Sequence, residues 1–171
     1  PELRDILEES YGLRYRLATK MAAGGLEGGS EEGLSVLVLR PARVLSAGTC
    51  RLGPPSIDDS IRRLSVRVQV ELAGGTRVDV YNTHFSFDRL TQVGNVLELG
   101  RCLDKHHTQV PQIVIGDLNT YGDWRVALGH LTGEVRPIGA GMLEEAAGAA
   151  YRDIMPPPMR FVDAWAETGG R

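Results

Sequence analysis

The sequence has 171 residues, of which 42% are hydrophobic and 24% charged, and its net charge is −3. This length and composition suffice for one globular domain with a buried core. A mildly acidic chain lacks the basic surface of a dedicated duplex-binding protein. The longest apolar runs, residues 34–39 and 112–116, fall far short of the ~20 residues that cross a bilayer. We therefore predict no transmembrane segment.

The N-terminal part is predicted to contain a helix, a loop and two strands. Residues 1–12, PELRDILEESYG, have the pattern of an amphipathic helix that a glycine closes. The Gly-rich residues 21–33 are expected to form a loop. Residues 34–39 form a strand that Pro41 ends, and residues 43–47 are expected to pair with it.

Two cysteines occur in the sequence, Cys50 and Cys102. Their spacing matches neither a zinc site nor a redox motif. We therefore predict two buried free thiols. We expect no targeting signal at either end, and the cysteines leave the cellular compartment undecided.

A β-hairpin is predicted in the middle of the chain, after a loop at residues 49–60. Residues 64–72 alternate polar and apolar side chains with the period of two that is typical of a half-exposed strand. Gly74 and Gly75 then supply the positive-φ positions of a tight turn. Residues 77–85 return as the second strand.

A long helix and a short strand follow the hairpin. The helix begins at Asp88, a suitable N-cap, and its apolar face is predicted from the spacing of six residues. These residues are Leu90, Val93, Val96, Leu97, Leu99 and Leu103. Residues 112–116, QIVIG, are continuously apolar, which predicts a central strand covered on both faces.

The C-terminal part is predicted to be less regular. Residues 123–131 have the pattern of another helix. Residues 133–159 are rich in Gly, Ala and Pro and are expected to form an insertion or a mobile loop. Residues 160–167 are expected to form a last strand or a short helix. The order strand, helix, strand, helix indicates an α/β fold.

Two of the predicted strands end in polar residues. These residues are Asn82, Thr83 and His84 in the first strand, and Asp117 and Asn119 directly after the second. In open α/β sheets, ligands bind outside the carboxyl ends of the strands, so we expect the five side chains to meet along one rim. Imidazole, carboxylate and amide groups suit a general base, a hydrogen-bonding clamp and a divalent metal or an oriented water.

The stretches YNTHF (residues 81–85) and IGDLNT (residues 115–120), joined by one predicted helix, resemble the motifs of the endonuclease/exonuclease/phosphatase superfamily, the deoxyribonuclease I-like hydrolases. Residues 32–41, 58–80 and 161–167 are similar to the family's accompanying segments. The resemblance implies an α/β fold, namely a four-layer sandwich of two mixed β-sheets flanked by helices.

The resemblance covers most of the chain as a single domain, residues 1–171. The family's first strands, one of which ends in a metal-binding Glu, are expected before Pro1. Its closing Ser-Asp-His motif is expected after Arg171. The sequence is therefore interpreted as the central portion of the domain, truncated at both ends.

The resemblance implies metal-dependent hydrolysis of phosphoesters, of the phosphodiesterase, nuclease or phosphatase type, with Mg²⁺ or Mn²⁺ as the cofactor. Asp117 would orient or deprotonate the attacking water. His84 would hydrogen-bond a phosphoryl oxygen, and Asn82 would buttress the site. Asn119 would bind the phosphate or lie near a metal, for which Asp117 and Asn119 are the candidate ligands in this sequence.

A further cation for the substrate phosphate is expected from Arg62 or Arg63, and the spacing fits either residue. The substrate is expected to be a phosphoester, which could belong to a nucleic acid, a lipid headgroup or a small phosphate. The net charge of −3 favours a small or lipid phosphoester over long duplex DNA. No protein partner is predicted.

Two alternatives stay open for this sequence. A lone histidine such as His84 is more often a core residue than a site residue, and it is the combination with GDLN that favours a site. The principal Glu ligand of the family has no counterpart in residues 1–171. The alternative function is therefore a catalytically inactive fragment or pseudoenzyme that retains part of the phosphate-binding rim.

Overall fold

The computed structural model describes residues 3–11, 15–25, 31–53, 63–106, 109–120, 126–133 and 160–169. In these ranges, one antiparallel sheet pairs β1 (Tyr15–Gly25) with β2 (Glu31–Leu39). A second sheet contains, in spatial order, β3 (Arg43–Arg51), β4 (Leu64–Glu71), β5 (Arg77–His84) and β6 (Gln112–Asp117). The helices are α1 (Leu3–Tyr11), α2 (Arg89–Lys105), α3 (Val126–Thr132) and α4 (Ala164–Glu167).

The four-stranded sheet is mixed, because β3, β4 and β5 pair antiparallel whereas β5 and β6 pair parallel. The prediction of an α/β fold with a mixed sheet is therefore confirmed. The parallel pair has α2 as its crossover connection, as parallel strands require. Both strands of this pair consequently end at the same edge of the sheet.

The four-stranded sheet has two faces that bury different residues. The face that we call the inter-sheet face carries the apolar residues of β4, which pack against Val38 of β2; they are Leu64, Val66, Val68 and Val70. The opposite face, which we call the helix face, carries Tyr81 and packs against α2 and α3. The core on this side consists of Cys50, Leu52, Tyr81, Phe85, Val96, Leu99, Leu103, Ala127 and Leu131.

Helix α2 begins where the sequence predicts it. The Asp88 carboxylate accepts a hydrogen bond from the Thr91 backbone N–H at 2.9 Å, which caps the first turn. The predicted apolar face is wrong at Leu90, which is 39% exposed. Gln92 and Asn95, each 1% exposed, lie buried on this helix instead.

The Gly-rich segment near the N-terminus is mostly strand, so the loop prediction is wrong for residues 21–25 and 31–33. Residues 26–30 lie outside the described ranges. The β1–β2 register shifts between Ala22 and Gly24, and such an irregularity accommodates glycines in a paired strand.

The pairing predicted between residues 34–39 and 43–47 is wrong, because β3 pairs with β4 and β2 pairs with β1. Adjacency in sequence favours adjacency in space only as a tendency. The loop expected from residue 49 is also wrong over residues 49–51, which belong to β3. Residues 54–62 lie outside the described ranges.

Strand β6 lies at an edge of the described four-stranded sheet. Ile113 and Ile115 are 43% and 46% exposed on the inter-sheet face, whereas Val114 packs against the helix-face core. The prediction of a central strand covered on both faces is therefore wrong. A short apolar run does not by itself distinguish an edge strand from a central one.

The turn between β4 and β5 follows the prediction in part. Gly75 has φ +81°, and its N–H donates to the Leu72 carbonyl at 2.9 Å. Gly74 was expected to share the positive-φ conformation, but among the described residues of this turn only Gly75 adopts it.

Cys50 of β3 and Cys102 of α2 form a disulfide, with a Cα–Cα distance of 6.1 Å. The prediction of two free thiols is therefore wrong. The two cysteines are 52 positions apart in sequence, and this separation carries no information about their distance once α2 packs on the helix face.

The C-terminal part agrees with the sequence where it is described. Helix α3 falls within the predicted helix at residues 123–131 except for one added residue, and α4 resolves residues 160–167 in favour of a short helix. Residues 121–125 and 134–159 lie outside the described ranges. None of the described helices has the length and apolar character to span a membrane.

His130 of α3 has a buried Nε2 that makes no hydrogen bond to the described part of the chain. Burial lowers the pKa of His130 from 6.5. The unfolded chain consequently binds a proton at higher pH than the folded chain does. Stability is therefore unaffected well above pH 6.5 and falls as the pH drops through the unfolded pKa toward the folded one.

We expect the unfolding free energy, measured by urea titration, to fall as the pH drops below about 7. His130→Leu should flatten this dependence. Burial and the charge of Arg67 also lower the pKa of His106. His106→Gln should therefore remove a second, smaller source of the loss of stability at acidic pH. If wild type and His130→Leu lose stability in parallel on acidification, His130 is not a source of the acid sensitivity.

Candidate functional site

His84 and Asp117 are partners across the parallel β5–β6 pair, at the carboxyl ends of both strands. The His84 Nε2 lies 3.8 Å from the Asp117 Oδ2. Their side chains are 36% and 63% exposed, respectively. An imidazole and a carboxylate thus stand side by side at one accessible rim, as the strand-end argument predicts.

Asn82 lies two residues before His84 and therefore on the same face of β5. Its Nδ2 donates to the Ser35 carbonyl of β2 at 3.0 Å. The Ser65 hydroxyl donates to the Asn82 carbonyl at 3.2 Å. Asn82 thus joins the two sheets directly beneath the His84–Asp117 pair.

Gly116 allows β6 to approach β5 closely just before Asp117. Its φ is +121°, and a Cβ at this position would collide with the Thr83 carbonyl oxygen and lie 2.9 Å from the Asn82 Oδ1. An L-residue would be strained here by its backbone conformation and by the collision. The glycine that precedes Asp117 in the motif is therefore required for steric reasons.

Asn119 closes a tight turn after β6 and adopts φ +48°, a conformation that Asn tolerates better than most residues. Its N–H donates to the Asp117 Oδ1 at 2.8 Å, and its Nδ2 donates to the Phe85 carbonyl at 2.7 Å. The Asp117 Oδ1 thus serves the turn while Oδ2 faces His84. The Phe85 N–H in turn donates to the Asp117 carbonyl at 2.8 Å.

Two other residues named from the sequence have different positions. Thr83 is 1% exposed and lies on the helix face, so the expectation that it joins the rim is wrong. The reason is strand alternation, which turns Thr83 away from Asn82 and His84. Arg63 is 5% exposed directly before β4, whereas Arg62 lies outside the described ranges, so the choice between them stays a prediction.

No protein-family model and no curated protein matches this sequence. Several solved structures do match. The human Nocturnin catalytic domain with bound sulfate aligns with a TM-score of 0.58 and 14% identity, over 77% of this chain and 52% of that one. ANGEL2, described as a 2',3'-cyclic phosphatase, aligns with a TM-score of 0.55 and 18% identity, over 81% and 42%.

An endonuclease/exonuclease/phosphatase family protein from Bacteroides thetaiotaomicron aligns with a TM-score of 0.54 and 15% identity, over 75% of this chain and 51% of that one. The chain has the fold of the endonuclease/exonuclease/phosphatase superfamily. It spans about half the length of these structures. The fold implied by the two sequence motifs is therefore confirmed.

Within this endonuclease/exonuclease/phosphatase fold, sequence reasoning missed two residues that support the rim. The Gln92 Nε2 donates to the Leu118 and Asn119 carbonyls at 2.9 and 2.8 Å. The Asn95 Oδ1 accepts from the Ser86 N–H at 2.8 Å. The available signal was the occurrence of two amides three positions apart within a predicted apolar helix.

The side chains at the rim can be compared with the ligands that a divalent metal, implied by the superfamily, would need. Asp117 supplies one exposed carboxylate, and Mg²⁺ is often held by one or two carboxylates together with water and substrate phosphate oxygens. In the part of the chain that the structure describes, no group of three or more His, Cys, Asp or Glu residues could hold a metal. The described residues therefore fit a supporting metal ligand but do not form a complete protein cage.

Thr83 allows a test of the strand alternation beside the site. Its hydroxyl is buried and makes no hydrogen bond to the described residues, so Thr83→Val should leave the unfolding free energy unchanged or raise it by up to about 1 kcal/mol. Ser65, its neighbour on β4, donates to the Asn82 carbonyl, so the matched change Ser65→Ala should lower it by about 1 kcal/mol. Urea unfolding would measure the unfolding free energy of both variants. A clear loss of stability in Thr83→Val would contradict the placement of Thr83 on the buried helix face without a hydrogen-bond partner among the described residues.

Proposed function

We propose that this chain carries the phosphate-binding rim of a metal-dependent phosphoester hydrolase. The observation that carries the proposal is the His84–Asp117 pair, with 3.8 Å between Nε2 and Oδ2 at an exposed strand end. This distance is too long for a direct hydrogen bond. It leaves room for Asp117 Oδ2 to contact a water and for His84 Nε2 to contact an adjacent phosphoryl oxygen, each at about 2.8 Å.

The proposed roles follow from these positions. Asp117 Oδ2 orients the attacking water and accepts its proton, while His84 donates to a phosphoryl oxygen on which negative charge grows. Asn82 acts as a buttress through its bond to the Ser35 carbonyl. Asn119 fixes Asp117 and lines the phosphate site, and Arg62 or Arg63 adds a cation to it.

We propose Mg²⁺, or Mn²⁺ in its place, as the cofactor. Asp117 is the candidate ligand with a carboxylate at the rim, and Asn119 is its candidate amide partner. When bound, the ion would polarise the phosphoryl oxygens and neutralise their charge. The remaining ligands would be water, substrate oxygens and residues beyond the described ranges.

Two of the similar structures support phosphoester chemistry on this fold. ANGEL2 is described as a 2',3'-cyclic phosphatase and also as a complex with adenosine-2',3'-vanadate. The Nocturnin domain holds a sulfate anion. For this chain the substrate is proposed only as a phosphoester, and its assignment to the central portion of a single domain also stays a proposal.

The alternative is a rim that binds phosphate without turnover. The observation that favours it is the donor set, which among the described residues contains no cluster of three metal-binding side chains. Such a chain would bind a phosphoester but would not hydrolyse it.

The test is hydrolysis of bis-p-nitrophenyl phosphate by the chain with Mg²⁺ or Mn²⁺ and with a chelator. We expect metal-dependent release of p-nitrophenol that Asp117→Asn removes. Asp104→Asn is the matched control, because Asp104 is an exposed carboxylate on α2 away from the rim.

Each result separates the two functions. Metal-dependent turnover that is lost in Asp117→Asn and kept in Asp104→Asn supports hydrolysis. Equal background in all three proteins, together with phosphate binding that depends on His84, supports the alternative. Equal background without such binding would reject both functions.

A further inference from the structure

We propose that Gln92 is a positioning residue that sets the distance between His84 and Asp117. This proposal rests on the proposed function, since it concerns the geometry of the same pair. Gln92 lies in the first turns of α2 and is 1% exposed. Its hydrogen bonds reach the two loops that follow His84 and Asp117.

One side chain bridges both loops. The Gln92 Nε2 donates to the Ser86 carbonyl at 3.3 Å, two residues after His84. It also donates to the Leu118 and Asn119 carbonyls at 2.9 and 2.8 Å, the latter two residues after Asp117. A single amide group thus holds the ends of β5 and β6 against α2.

The bond to Asn119 is coupled to the orientation of the Asp117 carboxylate. With φ at +48°, the Asn119 carbonyl is directed to Gln92 while its N–H is directed to the Asp117 Oδ1. A rotation of this peptide backbone would move the Oδ1 contact and thereby turn Oδ2 relative to His84. Gln92 therefore controls which way the carboxylate faces, although it lies behind the turn.

Asn95, one turn later on α2, holds the same loop from the other side. Its Oδ1 accepts from the Ser86 N–H at 2.8 Å, and its Nδ2 donates to the Leu52 carbonyl at the end of β3. Because Asn95 anchors Ser86 independently, removal of the Gln92 amide should release mainly the loop after β6. The expected effect is therefore a misplaced Asp117 rather than a disordered rim.

Gln92→Met removes the amide and keeps the length of the side chain. Gln112→Met is the matched control, because the Gln112 Nε2 donates to the Leu103 carbonyl at 3.2 Å at the opposite end of β6. In Gln92→Met we expect hydrogen exchange of the Asn119 N–H, followed by NMR, to accelerate about tenfold or more. In Gln112→Met it should stay unchanged.

The kinetic readout is the split between kcat and KM for bis-p-nitrophenyl phosphate. Gln92→Met should lower kcat about tenfold with little change in KM, because the reacting groups are misplaced while substrate contacts are kept. Gln112→Met should leave both values unchanged at a comparable loss of melting temperature. If Gln92→Met does not fold, Gln92→Asn, which keeps the donor on a shorter stem, should show the same changes in smaller measure.

The outcomes are distinguishable from failure of the proposed function. If wild type hydrolyses nothing, the function fails, and exchange at Asn119 alone decides the role of Gln92. Unchanged Asn119 exchange in a folded Gln92 variant would overturn the proposal. An equal fall of kcat in Gln92→Met and Gln112→Met would reduce Gln92 to a general stability residue and would also overturn it.

Discussion

The Asp79→Asn variant is expected to lose about 3–5 kcal/mol of unfolding free energy, because it leaves a buried guanidinium without its counter-charge. Both carboxylate oxygens of Asp79 lie 3.0 Å from the Arg67 Nη2. The Asp79 side chain is 0% exposed and that of Arg67 is 14% exposed. Neither group can recover its hydration while the fold is intact.

The same reasoning gives the controls for this prediction. Replacement of both partners, as Arg67→Met with Asp79→Leu, should recover most of the loss, because an apolar pair avoids the desolvation of both charges. The surface pair Arg43–Glu71, at 3.9 Å with Arg43 73% exposed, should contribute less than about 1 kcal/mol when Arg43→Met removes it. Urea unfolding would measure all of these variants, and a loss for Asp79→Asn no larger than that for Arg43→Met would contradict the burial of the pair.

This ion pair illustrates what a local pattern can and cannot predict. The alternation of β4 correctly predicts a strand with Val66 and Val68 on one face and Arg67 on the other. A polar face is normally assigned to solvent, but α2 covers this one. Arg67 is 14% exposed on that face. The helices that pack on the same face begin more than twenty positions later in the sequence, so the residues around Arg67 do not reveal its burial.

The other predictions were also correct where they depended on neighbouring residues and wrong where they depended on long-range packing. The N-cap at Asp88 and the turn at Gly75 are local, and both were predictable from a few residues. The edge position of β6 and the Cys50–Cys102 disulfide depend on how segments distant in sequence pack together, and both predictions were wrong. Composition was a poor guide at residues 21–25, because pairing with β2 overrides the turn preference of glycine.

The proximity of His84 and Asp117 is a long-range contact that was nevertheless predictable. Two polar strand ends joined by one helix indicate a parallel crossover, and a parallel pair brings both carboxyl ends to the same edge. The roles of Gln92 and Gly116 were not predictable in this way, because each depends on the separation of β5 and β6. The distance between the two strands cannot be calculated from the spacing of their residues in the sequence.

The second large effect is expected at the proposed reacting groups. Asp117→Asn and His84→Gln should each lower kcat for bis-p-nitrophenyl phosphate by about 10²–10⁴-fold, the usual contribution of a positioned acid–base group. Asn and Gln keep the polarity and approximate size, so the two variants test proton transfer and charge rather than packing. Asp104→Asn on α2 and His106→Gln directly after it are the matched controls and should retain wild-type kcat.

The double variant makes this test specific for the pair. If Asp117 Oδ2 deprotonates the attacking water while His84 Nε2, 3.8 Å away, donates to the phosphoryl group under attack, both act in one transition state. Removal of either then disables the other, and the double variant should lose little more than the worse single variant. Steady-state kinetics of the four proteins, with the melting temperature of each, gives the coupling directly. Losses that multiply would mean that the two side chains contribute independently, and their action as a pair in one transition state would then be rejected even if both residues are catalytic.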